Sequence, residues 1–136
     1  MKIFICCSKH FYNKIPEIKD KLEKMGHIIT LPNSYDRPFN EEEMKKLGKE
    51  EHSKWKGEKL KLQIDKVKQN DALLVLNFEK NGIQNYIGGA TFLEMFKAWE
   101  LEKKIFLFNQ IPEGMLKDEI IGFNPIIIEG DLSKIG

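Results

Sequence analysis

Five runs of apolar residues alternate along the chain with longer, mixed segments. The runs are KIFICC (2–7), HIITL (27–31), ALLVL (72–76), KKIFLFN (103–109) and PIIIEGDL (125–132). An unbroken apolar run is typical of a strand covered on both faces, as in a parallel sheet. Strands that alternate with helices predict a three-layer α/β sandwich, flavodoxin- or Rossmann-like, with a mostly parallel sheet of about five strands. The last run is the weakest and is expected at the sheet edge.

The segment between the first two runs carries clear helix signals. Ile15, Ile18 and Leu22 recur at helical spacing, Pro16 falls in the first turn, and Gly26 follows as a stop. The chain therefore opens as a strand, a helix and a strand. Two parallel strands of one sheet need such a crossover helix between them.

A charged helical region is predicted from Asn40 toward the third run. Asn40 and Glu43 have the spacing of an N-cap pair, and Gly48 and Gly57 are expected either to break the region into two or three pieces or to leave a bend. A further short helix is expected around 115–121. All 136 residues fit one domain, residues 1–136.

The overall charge is balanced, with 22 Lys and Arg against 21 Asp and Glu. This balance provides no electrostatic argument for a nucleic-acid or membrane partner and favours a small-molecule ligand. The first residues lack the pattern of a secretory signal, and no apolar run approaches the length of a membrane span. The protein is expected in the cytoplasm.

The cysteines and histidines do not have the spacing of a metal site. Cys6 and Cys7 are neighbours on a predicted strand, so their side chains point to opposite faces. His10, His27 and His52 form no paired motif with each other or with the cysteines. No metal and no cofactor are expected.

Residues 71–99 are the most informative stretch. A buried strand is followed by Asn77, by a loop containing Gly82, Gly88 and Gly89, and then by a helix. In open α/β sheets ligands lie outside the carboxyl ends of the strands. Glycine lets the backbone approach a ligand closely. Asn77, Gly88 and Gly89 are therefore predicted to contact a ligand.

Thr91 and Glu94 begin the helix that follows this loop. Their spacing fits a capping box, in which each side chain bonds the backbone of the other residue and only stabilises the helix. Alternatively, Thr91 lies near free helix amides that favour an anion, and Glu94 is a reactive carboxylate. The spacing alone favours the capping box.

The loop Ser8–Asn13 follows the first strand and is expected beside the same site. Ser8 is predicted to donate to a phosphate, Lys9 to neutralise it, and Tyr12 to pack on a sugar or base, although an ordinary solvated loop has the same composition. Arg37, the only arginine, follows the second strand and is either a phosphate clamp or a turn residue. Tyr86 either lines the pocket or anchors its loop.

Three pieces of the chain belong together: KIFICCS (2–8), Asp71 in NDALLVLN, and Thr91, Glu94 and Ala98 in TFLEMFKA. In this order they resemble the nucleoside 2-deoxyribosyltransferases and their relatives that hydrolyse nucleoside 5'-monophosphates. The resemblance implies that Glu94 attacks the anomeric carbon and forms a covalent glycosyl-enzyme. It also implies that Asp71 handles a proton on the base or contacts the sugar; the alternative is a residue that caps the start of its strand. A carboxylate suits the oxocarbenium-like transition state of such a reaction.

The chain departs from that family at two positions. Gly88 stands where the family often has an acidic residue, and Phe96 stands where a glycine is usual. A catalytically silent nucleotide-binding sensor or scaffold of the same fold is therefore the alternative function. The resemblance also implies a homo-oligomer, with Trp55 and Trp99 as interface candidates. A core position is favoured for Trp99 because it shares a helical stripe with Phe96.

Overall fold

The computed structural model describes residues 1–136 as one sheet with helices on both faces. Its strands are β1 (Lys2–Cys6), β2 (Ile28–Thr30), β3 (Ala72–Val75), β4 (Lys104–Leu107) and β5 (Ile126–Ile127). They are all parallel and lie in the order β2-β1-β3-β4-β5. The predicted three-layer sandwich with a parallel sheet is confirmed, and this strand order is that of flavodoxin-like folds.

Five α-helices and two short 3-10 helices connect and cover the strands. They are α1 (Ile15–Lys24), α2 (Asn40–Lys46), α3 (Lys49–Gln69), α4 (Gly89–Glu100) and α5 (Lys117–Gly122), with 3-10 helices at Lys9–Lys14 and Leu132–Lys134. None of the helices is both long and apolar enough to cross a bilayer.

The sheet separates two cores of equal size. On one face, Ile3 and Ile5 of β1 pack with α1 and the C-terminal segment. On the other face, Phe4 and Cys6 pack with α3, α4 and α5. Cys7 packs against the first core, so the two cysteines lie on opposite faces as predicted, and both are free thiols.

Two local predictions are wrong, and one is confirmed. Asn40 is not an N-cap, because α2 already begins at this residue and Phe39 occupies the cap position without a side-chain bond. The charged region does form two pieces, since Gly48, with a φ of 111°, separates α2 from α3, whereas Gly57 lies inside a continuous α3. The Ser8–Asn13 loop is largely a 3-10 helix that buries Phe11 and begins with Ser8 Oγ accepting from the His10 amide.

The topology predicts where a ligand binds. The chain leaves β1 toward β2 on one side and reaches β3 on the other, so the connections diverge at the carboxyl ends of β1 and β3. Diverging connections open a crevice at that point of an open α/β sheet. The residues after β1 and after β3 are therefore the ones that face a ligand.

Candidate functional site

A cavity of about 610 Å³ opens at this crevice. Its wall combines the segment after β1, the β2–α2 connection, one face each of α2 and α3, and the loop into α4. The volume lies in the range that holds a small organic ligand. Most of the lining residues are polar or charged, which suits a polar ligand.

Glu94 forms the inner end of the cavity from the second turn of α4. Its side chain is 8% exposed, has the Cys6 thiol beside it as a hydrogen-bond donor, and forms no ion pair within 4.0 Å. No buried side-chain oxygen or nitrogen in the protein lacks a partner, so the carboxyl oxygens of Glu94 reach the cavity. The Glu94 carboxyl group is therefore accessible to a ligand in the cavity.

The surroundings of Glu94 favour its neutral form. Burial raises the pKa of Glu94 to about 8, and the Cys6 thiol and the ammonium groups of Lys66 and Lys56 only partly offset this rise. Cys6 Sγ also donates to the Phe4 carbonyl oxygen over 3.7 Å. A strongly raised carboxyl pKa in a cleft is a recognised property of reactive acids.

The capping-box interpretation of Thr91 and Glu94 is wrong. Gly88 occupies the N-cap of α4 without a side-chain bond, which puts Thr91 at the third helical position and Glu94 at the sixth. Thr91 is therefore not the cap, and no side-chain bond caps the start of this helix. Both side chains instead line the cavity.

The buried polar residues fall into two classes. Asn70 and Asn77 are hydrogen-bonded through both amide atoms, Asn70 to Thr30 and Lys66, and Asn77 to the backbone of Asn109 and the segment after β4. The others line the cavity, and no nitrogen or hydroxyl of the protein donates to their side-chain oxygens; they are Gln63, Thr91 and Glu94. The first class holds the fold together, and the second class is available to a ligand.

Gln63 is a site residue that the sequence did not reveal. It lies on α3, is 7% exposed, and donates from Nε2 to the Ala90 carbonyl oxygen over 3.1 Å. In the sequence it lies within a charged helical region, where it looks like part of a solvated face. The available signal was its position three residues after Leu60 and four before Val67, on the stripe that faces inward.

Five lysines line the cavity. Lys9 is paired with Glu42, and Lys56 lies 3.3 Å from Glu41. The other three have no carboxylate within ion-pair distance; they are Lys45, Lys59 and Lys80. The cavity therefore carries an excess of positive charge on a chain whose overall charge is balanced.

Aromatic rings line the same cavity. Tyr12 stacks on Tyr35 with ring centroids 5.6 Å apart, and Lys80 lies 4.4 Å from the centroid of the Tyr86 ring. Burial, and then the nearby Cys7 and Glu94, raise the pKa of Tyr12, so its hydroxyl stays protonated. Trp55 on α3 also lines the cavity, beside His52.

The structure brings together most of the predicted site residues. Those that line the cavity are Ser8, Lys9, Tyr12, Tyr86, Gly88, Gly89, Thr91 and Glu94. Three predicted residues lie elsewhere. The amide of Asn77 is used to join the ends of β3 and β4, and the exposed Arg37 pairs with Glu43 at 3.1 Å.

Asp71 is the third predicted residue that does not reach the cavity. It precedes β3 and so lies at the amino edge of the sheet, opposite Glu94. Its carboxylate accepts from the Lys2 amide over 2.8 Å, and its own amide donates to the Lys2 carbonyl oxygen. Asp71 therefore joins the starts of β1 and β3, which fits the strand-capping alternative.

The predicted core position of Trp99 is wrong. Trp99 is 50% exposed and forms one aromatic face with Phe92, Phe96 and Phe123, whose rings lie 5.5 to 6.4 Å apart. This aromatic face lies on the outer side of α4. None of these four residues lines the cavity.

Comparison with known proteins provides no family for the chain. A scan against protein-family models and a search of curated proteins both returned no match. Functional inference therefore depends on the geometry and chemistry of the cavity.

Proposed function

We propose that this protein cleaves the N-glycosidic bond of a nucleoside 5'-monophosphate, or exchanges its base, with Glu94 as the nucleophile. The observation that carries this proposal is the buried carboxyl group of Glu94 in the wall of a cavity that holds more lysines than acids. The resemblance of the TFLEMFKA segment to nucleoside 2-deoxyribosyltransferases supports the same role. No metal or organic cofactor is required by this chemistry.

The reaction proceeds in two displacements. A carboxylate oxygen of Glu94 bonds to the anomeric carbon while the bond to the base breaks, and the electron pair leaves on the base nitrogen. The base takes a proton from water at the open side of the cavity. Water, or a second base, then attacks the glycosyl ester and releases Glu94 as a carboxylate.

The charge of the cavity supports a phosphorylated substrate. Lys45, Lys59 and Lys80 line the cavity without carboxylate partners, and Lys9 follows β1 beside Ser8. A phosphate dianion bound there gains charge-assisted hydrogen bonds that a neutral nucleoside lacks. The proposed substrate is therefore the nucleotide rather than the nucleoside.

Lys59 provides a direct test of phosphate recognition. We expect Lys59→Gln to raise KM for a nucleoside 5'-monophosphate about 10-fold, because a hydrogen bond to a charged group contributes about 1.5 to 3 kcal/mol. The KM for the parent nucleoside should change little. Lys61→Gln on the same helix is the matched control, since Lys61 is exposed and outside the cavity. Equal effects on nucleotide and nucleoside would contradict the phosphate role.

The reaction itself is tested by product analysis. The protein is incubated with each common nucleoside and its 5'-monophosphate, with and without a free acceptor base, and the products are identified by mass. We expect free base and a sugar phosphate from at least one 5'-monophosphate. Complete recovery of every substrate would reject the proposed reaction.

A catalytically silent nucleotide-binding protein is the second candidate. Two observations favour it: the pKa of Glu94, raised to about 8 by burial, keeps much of this acid neutral at pH 7, and Gly88 replaces an acidic residue. A neutral carboxylic acid is not a nucleophile. Tight nucleotide binding in calorimetry, with no base release across the same panel, would identify this second function.

We further propose that two or more copies associate through the aromatic face of Phe92, Phe96, Trp99 and Phe123. Exposed aromatic rings in contact with each other are typical of protein interfaces. Trp99→Lys should convert the assembly to a monomer in sedimentation at micromolar concentration. Met115→Lys is the matched control, because Met115 is 92% exposed and lies apart from these rings. A wild-type monomer would reject this proposal. Both this association and a location in the cytoplasm belong to the proposed function.

A further inference from the structure

The Gln63 side chain and the Glu94 backbone amide share one hydrogen-bond acceptor, the Ala90 carbonyl oxygen. Gln63 Nε2 donates to the Ala90 carbonyl oxygen over 3.1 Å. Ala90 is in the first turn of α4, and in an α-helix its carbonyl also accepts from the amide four residues later, which is that of Glu94. The side-chain amide of Gln63 is thus held beside the turn that carries the Glu94 carboxyl group.

This contact also fixes which way the Gln63 amide points. A carbonyl oxygen accepts only from a donor, so the nitrogen of the amide faces Ala90. The amide oxygen, Oε1, then points away from Ala90 and has no partner in the protein, and because no buried side-chain atom is unpaired, it reaches the cavity. Gln63 Oε1 is therefore a fixed hydrogen-bond acceptor for a ligand that lies in the cavity next to Glu94.

Displacement chemistry indicates which part of a nucleotide lies there. The nucleophile approaches the anomeric carbon from the sugar face opposite to the base, because the base is the leaving group. In a ribonucleotide this is the face that carries the 2-hydroxyl group, on the carbon next to the anomeric carbon. A 2-deoxyribonucleotide has only hydrogen at this position.

From this juxtaposition we infer that Gln63 accepts a hydrogen bond from the sugar 2-hydroxyl, so that the substrate of this site is a ribonucleoside 5'-monophosphate. The inference depends on the proposed function, because it uses the direction from which Glu94 attacks. Hydrogen bonds to the 2-hydroxyl strengthen as the oxocarbenium-like transition state forms. Gln63 therefore contributes to rate as well as to binding.

The kinetic test compares a ribonucleoside 5'-monophosphate with its 2-deoxy analogue in wild type and Gln63→Met. Because 2-deoxyribosides are intrinsically easier to cleave, the decisive quantity is the change in the ratio of the two kcat/KM values. We expect the ribo-to-deoxy ratio to fall about 10-fold or more in Gln63→Met. The fraction of folded protein cancels in this ratio. Gln69→Met, an exposed position at the end of α3, should leave the ratio unchanged.

A binding test separates this inference from the proposed reaction. Ribose 5-phosphate and 2-deoxyribose 5-phosphate are titrated into wild type and Gln63→Met in a calorimeter. We expect Gln63→Met to weaken the binding of ribose 5-phosphate by about 10-fold and to leave the binding of 2-deoxyribose 5-phosphate unchanged. Equal losses for both sugars, or none, would overturn the role of Gln63. If only the binding of ribose 5-phosphate weakens and the protein releases no base from any nucleotide, the role of Gln63 stands and the proposed reaction is rejected.

Discussion

Replacing Glu94 by glutamine should reduce kcat on a cleaved nucleotide by at least about 1,000-fold, because the amide cannot form the glycosyl ester. The two side chains have nearly the same size and shape. Binding of the nucleotide should therefore persist, and the far-ultraviolet circular dichroism spectrum should not change. Wild-type rates in Glu94→Gln would contradict the assignment of the nucleophile.

The same substitution should make the protein more stable. The pKa of Glu94 is raised from an ordinary 4.5 to about 8 by burial, so the folded protein binds a proton that the unfolded chain has released between these values. Wild-type stability therefore falls as the pH rises from about 4.5 to 8 and then levels off. Glu94→Gln lacks this loss, and we expect its free energy of unfolding at pH 8 to be higher by about 2 to 4 kcal/mol.

A denaturant series measured at several pH values tests this sign. The stability difference between Glu94→Gln and wild type should grow between pH 5 and 8. Glu100→Gln, an exposed acid at the end of the same helix, is the matched control and should show no such growth. A stability difference that does not depend on pH would show that the Glu94 carboxyl group carries no burial cost.

The sheet was predictable because the strands are buried on both faces. Ala72–Val75 is fully buried and reads as an uninterrupted apolar run, and β1 and β4 have the same character. The helix boundaries were less accessible. At Asn40 and Thr91 the residue types fit a cap, but the actual caps are Phe39 and Gly88, which have no side-chain bond to reveal them.

The orientation of α4 shows why a helical stripe alone is ambiguous. Two stripes on this helix are apolar, one with Met95 and Ala98 and one with Phe96 and Trp99. The stripe with the smaller residues faces the sheet and is fully buried, whereas the aromatic one is about half exposed. Helical spacing identifies both stripes equally and does not say which one packs inward.

The site was only partly predictable for a similar reason. Glu94 follows a strand and a glycine-containing loop, so local order along the chain leads to it. Gln63 reaches the cavity only because α3 packs against α4, a contact between residues that are far apart in sequence. Asp71 is the opposite case, because it is next to β3 in the sequence but far from the cavity. It precedes the first residue of β3, at the edge of the sheet away from the cavity.

The pH dependence of catalysis should directly reflect the burial of Glu94. Only the carboxylate attacks the sugar, and burial raises the pKa of Glu94 to about 8. The kcat/KM should therefore rise about 10-fold per pH unit up to pH 8 and level off above it. A parent nucleoside, which has no titrating phosphate, is the preferred substrate for this profile. A rate that is flat between pH 6 and 9 would contradict the prediction.

The charge of Lys66 should influence the pH at which this profile rises, because it lowers the pKa of Glu94. Its ammonium group lies near Glu94 and lowers the pKa of this acid, while Nζ is held by donating to the Leu31 carbonyl oxygen over 2.7 Å. Removing the charge in Lys66→Met takes away a stabilising partner of the carboxylate. The rising limb should then move to higher pH, and the rate at pH 7 should fall several-fold while the plateau at high pH changes less. Lys68→Met, an exposed change on the same helix, should leave the profile in place. A shift to lower pH in Lys66→Met would mean that the group limiting the rate is not the Glu94 carboxylate.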